Sequence, residues 1–108
     1  MTPATEARTI CVPADVLAFA AAQGAAEYLP PVLKMTERLF QDARRIDLSV
    51  EADPEIPNDF HVLIVVDTPR LDVDQYAEAK FRWSRELFEI CPAPLVCIFR
   101  CSLRLVEA

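Results

Sequence analysis

One glycine and one histidine occur among the 108 residues, and these scarcities close off more chemistry than any motif opens. Loops that wrap phosphate groups need several residues without a Cβ, so glycine-rich phosphate sites are excluded. The lone histidine, His61, cannot pair with Asp67 in a regular strand, because six steps separate them by about 20 Å. No apolar stretch approaches the roughly 20 residues needed to span a bilayer. The start lacks the basic segment and apolar run of a signal peptide. The expectation is a cytoplasmic protein with no membrane partner. The net charge is −6, whereas binding nucleic acid by counterion release needs clustered Lys and Arg. Nucleic acid is therefore not the expected partner, and neither cofactor nor small-molecule substrate is evident.

What is present suits one small domain. Hydrophobic residues make up 53% of the chain, ample for a core in a single α+β domain over residues 9–108. A flexible tail is expected over residues 1–8. The four cysteines, Cys11, Cys91, Cys97 and Cys101, lack the C-x2-C spacing that zinc favours. If Cys97 and Cys101 share a strand, about 13 Å separates their Cα atoms, too far for a disulfide. Buried, reduced, metal-free thiols are the expectation.

Prolines mark the boundaries between elements. Thr9 to Val12 suits a short strand. Pro13 then opens an Ala-rich helix, Ala14 to Gln23, that stops at Gly24. Pro30 and Pro31 suit the start of a second helix, with Val32, Leu33, Thr36, Leu39, Phe40 and Ala43 on its inner side. Strict alternation follows. Ile46, Leu48, Val50 and Ala52 point one way, and Asp47, Ser49, Glu51 and Asp53 the other. After the loop Pro54 to Asp59, the run Phe60 to Asp67 has the composition of a central strand. Asp72 and Gln75 form a capping box, with Leu71 and Tyr76 placed as a hydrophobic staple. The helix they start carries Val73, Tyr76, Ala77, Phe81, Trp83, Leu87, Phe88 and Ile90 on one half, expected to lie flat on a sheet. Leu95 to Val106 alternates again, with Cys97, Phe99, Cys101, Leu103 and Leu105 inward.

These elements predict a two-layer α+β sandwich, helix–β–β–helix–β, with a three-stranded mixed sheet and helices on one face. The first two strands form an antiparallel hairpin, and the crossover helix makes the last two parallel. Two-sided apolarity favours the second strand in the middle, order 1-2-3, over order 2-1-3, which would set the acidic stripe of the first strand beside the basic stripe of the third. His61, Leu63, Val65 and Asp67 then face the open side. Leu63 and Val65 are flanked by Asp47, Ser49 and Glu51 on one side and by Arg100, Ser102 and Arg104 on the other. An apolar centre with a charged rim is how interaction surfaces are built. These eight residues are the candidate protein interface, most simply in a two-fold homodimer whose opposite charges set the orientation.

Catalytic and metal candidates are fewer. Lys80 and Ser84 stand four residues apart near the middle of the helix's apolar half, and an amine in such a setting can serve as a base towards a hydroxyl. Asp53, Glu55 and Asp59 carry hard oxygen ligands, without the glycine that tight calcium loops use. An acidic, solvated loop is the simpler reading.

Two resemblances follow from particular residues. Thr9-Ile10-Cys11-Val12-Pro13-Ala14-Asp15-Val16-Leu17, then Gln23-Gly24-Ala25 and a helix, resembles the start of a ribbon–helix–helix DNA-binding domain. That resemblance implies a transcriptional regulator reading bases with Arg8, Thr9 and Cys11. Asp53-Pro54-Glu55, the run Leu63 to Val66, and Tyr76 with Trp83 are similar to a group of small stand-alone bacterial α+β proteins, which brings no activity with it. The expectation is a non-catalytic module acting through protein contacts, as a homodimer or as partner of a separately encoded protein. A toxin-neutralising role is an analogy within that class. A DNA-binding regulator and an enzyme built on Lys80 and Ser84 are the alternatives.

Overall fold

The structure is a computed structural model describing residues 9–106; the tail expected over residues 1–8, with Arg8, lies outside the described residues. The elements run β1 (Thr9–Cys11), α1 (Ala14–Ala22), a 3-10 turn (Ala26–Tyr28), α2 (Leu29–Leu39), β2 (Arg45–Ala52), β3 (Phe60–Pro69), α3 (Val73–Ile90), α4 (Ala93–Val96) and β4 (Phe99–Val106). Among the described residues the sheet has four strands in the order β1-β2-β3-β4, not three. The additional strand is β1, which pairs parallel to β2 through Thr9–Arg45, Ile10–Ile46 and Cys11–Asp47. The remaining order and directions are as the sequence predicts: β2 and β3 are antiparallel, and β3 and β4 are parallel.

Local chemistry accounts for the element boundaries. Gly24 has φ +73°, while the Gly24 and Ala25 amides donate back to the carbonyls of Ala21 and Ala20. This double bond closes α1 in the way that favours glycine just past a helix end. Pro30 and Pro31 sit in the first turn of α2, where missing N–H groups cost nothing. Asp72 accepts from the Gln75 amide at 2.8 Å, and the Gln75 side chain accepts from the Asp72 amide at 3.0 Å. The predicted capping box is complete.

One layer of helices covers one face of the sheet. Ile46, Leu48, Val62, Ile64, Val66, Phe99, Cys101 and Leu103 form the inner sheet face, beneath Val16 of α1, Val32 and Met35 of α2, and Trp83 and Leu87 of α3. Trp83 is 3% exposed.

Several expectations are corrected. The last strand begins at Phe99 rather than Leu95, because Pro92 and Pro94 set up the one-turn helix α4. Cys97 therefore lies off the strand and is exposed, as is Cys11. Only Cys91 and Cys101 are buried, and all four thiols are free. The apolar half of α3 is wider than the sheet can cover, because β4 is the sheet's edge. Val73, Phe81 and Phe88 are left 83%, 66% and 64% exposed. Leu105, at the end of β4, is exposed for the same reason.

Candidate interaction surfaces

The open face of the sheet consists of rows that cross three strands. Pairing sets Ser49 beside Leu63 and Leu63 beside Arg100, then Asp47 beside Val65 and Val65 beside Ser102. One step further, Arg45, Asp67 and Arg104 align, and at the other end Glu51 neighbours His61. All eight predicted interface residues thus share one face. Leu63 and Val65 are half-buried at its centre.

Most of the charges there are already engaged within the chain, Glu51 excepted. Arg104 donates to both oxygens of Asp67, at 2.6 and 2.9 Å, and its second contact, to Asp47, is 3.9 Å. Arg45 donates to Asp47 at 2.7 Å. At the opposite end, Arg100 reaches Asp59 at 3.1 Å and Asp53 at 3.4 Å. These contacts pin the β2–β3 loop to β4. The loop can fold back because Asn58 adopts φ 62°, and because the Asp53 carboxylate accepts from the Glu55 and Ile56 amides. These amide bonds, the Glu55 one first, hold the Asp53 carboxyl below its usual range against the opposing effect of burial, and Arg100 assists.

That folded-back loop buries His61, which the sequence places on an uncovered face. Its Nδ1 has no hydrogen-bond partner among the described residues. Burial lowers its pKa, and Arg100 lowers it further against the opposing pull of Asp59, Asp53 and Glu51. Neutral imidazole is therefore the favoured form. Among the described residues no three His, Cys, Asp or Glu side chains converge as a metal site, and no helix is long and apolar enough to cross a membrane.

A second uncovered surface lies where α3 borders β4. The Val62 amide bonds the Ile98 carbonyl, so in this parallel ladder the even residues of β4 face β3. Phe99, Cys101, Leu103 and Leu105 then turn their N–H and C=O groups outward at the sheet's edge. Lys80 donates to the Cys101 carbonyl at 2.6 Å. A lysine on an edge strand's free carbonyl is a guard against unwanted strand pairing, and this is where the Lys80 ammonium goes. Burial pushes the Cys101 thiol up to about 12, with Lys80 only partly opposing it. The thiol is not a nucleophile at neutral pH. Beyond Lys80, a groove runs between Ser84, Phe88 and Phe99. Further round the same helix Phe81 is exposed, with the Arg85 guanidinium 5.7 Å from its ring centre.

The open face is legible in the sequence, whereas helical periodicity by itself assigns every apolar residue of α3 to the core and hides this second surface. The signal was available: eight apolar positions on one helix exceed what the edge of a narrow sheet can roof. Compared with protein-family models, curated proteins and solved structures, the chain matches none of them.

Proposed function

We propose that the chain is a non-catalytic protein-interaction module whose open sheet face engages a separately encoded protein. The observation that carries this reading is the pair Leu63 and Val65, which no layer among the described residues covers, between two sets of internally satisfied ion pairs. Because Arg100 and Arg104 are held before any partner arrives, little side-chain freedom is lost when the rim is covered. The apolar centre supplies affinity, and the fixed rim supplies specificity. A face-to-face homodimer would need those charges free to bridge two copies, which favours a different partner. The net charge of −6 suits one with a basic surface, as a neutralising protein would meet. The exposed free thiols of Cys11 and Cys97 suit a reducing compartment such as the cytoplasm.

The test is Val65→Lys in the cells that produce the chain. The variant should fold normally and lose a protein that co-purifies with the wild type. Equal recovery of that protein by both would refute the assignment to this face.

A further inference from the structure

We propose that the chain pairs with a second copy of itself through α3, by an antiparallel helix contact around Phe81. At about 100° per residue, Val73, Ala77, Phe81, Ser84 and Phe88 occupy one arc of about 80° on the flank of α3 beside the sheet edge. The charged residues Asp74, Glu78, Arg82, Arg85 and Glu89 lie beyond it. The steps along the arc are four, four, three and four residues, which is the seam spacing of paired helices.

The seam is self-complementary. Its sizes run large, small, large, small, large, from Val73 through Ala77, Phe81 and Ser84 to Phe88. Inverting the helix about its middle sets Phe88 of one copy on Val73 of the other, Ala77 against Ser84, and the two Phe81 rings together at the two-fold axis. A two-fold contact demands this property, since one patch must fit itself. An unrelated partner does not.

The charges agree with the same register. Inversion places Arg85 at the level of Tyr76 of the second copy, about 3 Å along the axis from both Asp74 and Glu78 of that copy. Glu78 also accepts from Arg82 of its own chain at 3.4 Å, a long and exposed contact that leaves its carboxylate open to a second cation. Arg85 lies over Phe81, at the border of the seam, so it can reach those carboxylates without leaving the ring. The arc itself carries no acid, so two chains of net charge −6 can meet there without direct repulsion. Lys80, holding the Cys101 carbonyl, favours helix-to-helix contact over strand addition at the β4 edge. The open sheet face stays free on both copies.

Sedimentation equilibrium of the full chain tests the pairing. The wild type should be a dimer at micromolar concentration. Phe81→Glu should raise the dissociation constant by at least about thirty-fold, a central aromatic anchor being lost, with the circular dichroism spectrum unchanged because Phe81 is exposed. Arg85→Glu should weaken the dimer, and adding Asp74→Arg and Glu78→Arg should restore it. A double variant, Ala77→Cys with Ser84→Cys, should crosslink two chains on oxidation. A monomeric wild type would overturn the proposal. So would a dimer that survives Phe81→Glu, and if Val65→Lys dissociates that dimer instead, the open sheet face is the site of self-association.

Discussion

The indole Nε1 of Trp83 donates to the Thr36 hydroxyl at 2.8 Å, and that hydroxyl donates to the Val32 carbonyl at 2.8 Å. Both side chains are buried. This relay ties α3 to α2 at the centre of the helical layer. It satisfies an indole N–H that would otherwise be stranded among apolar groups. At the rim of the same contact Arg38 and Glu86 form an ion pair.

Removing the acceptor should be costly although the volume hardly changes. Thr36→Val leaves the Trp83 N–H unsatisfied, for a loss of about 1–3 kcal/mol. Trp83→Ala also leaves a large void and should cost about 3–5 kcal/mol. Urea denaturation of each variant measures both losses. A loss below about 0.5 kcal/mol for Thr36→Val would mean the relay is not formed in solution.

The two ends of the open face should respond differently to losing their arginine. Asp67 is buried, so Arg104→Ala strands a carboxylate and should lower stability measurably. The Arg100 contacts are longer, 3.1 and 3.4 Å, and its partners lie in a loop, so Arg100→Ala should cost under about 1 kcal/mol. It should instead speed amide exchange of Asp53 and Asp59, whose N–H groups bond within that loop. Hydrogen exchange read residue by residue separates the two effects.

The thiols should divide into two classes. Cys11 and Cys97 should react with a thiol reagent in the native state, whereas Cys91 and Cys101 should react only on unfolding. Replacing all four by Ser or Ala should leave the fold recognisable. Four fast thiols would contradict the burial of β4's inner face.

His61 gives stability a pH dependence of known sign. Its folded pKa is lowered, so the unfolded chain binds more protons in the window below about pH 6.5. The associated stability is present above that value and is lost as the pH falls towards the folded pKa. Chemical denaturation at pH 7.5 and 5.5 should therefore show a drop for the wild type and a smaller one for His61→Gln. The lowered carboxyl of Asp53 acts separately, since its contribution is lost only below about pH 4.

Much of this architecture was legible because short-range chemistry fixed it. The Asp72–Gln75 box, the stop at Gly24 and the alternation from Ile46 to Val50 each depend on residues within a few positions of one another. The hairpin, the crossover and the central place of β3 followed from those elements. What escaped depends on distant residues. The capture of β1 by β2 turns on three strand residues, too few for a pattern. The burial of His61 requires the Asp53–Asp59 loop to fold back and be held by Arg100, a contact 41 and 47 positions away. The exposure of Phe81 and Phe88 depends on where the sheet ends, and a helix's own periodicity does not contain that information.

Site-specific photo-crosslinking inside producing cells tests the role of the open face most directly. A photoreactive residue at position 65 should join the chain to a different protein, and Leu63→Glu should abolish the adduct. The same probe at Lys34, exposed on α2, should give none. Adducts from position 34 as strong as those from position 65, or adducts only to the chain itself, would contradict a partner-binding sheet face.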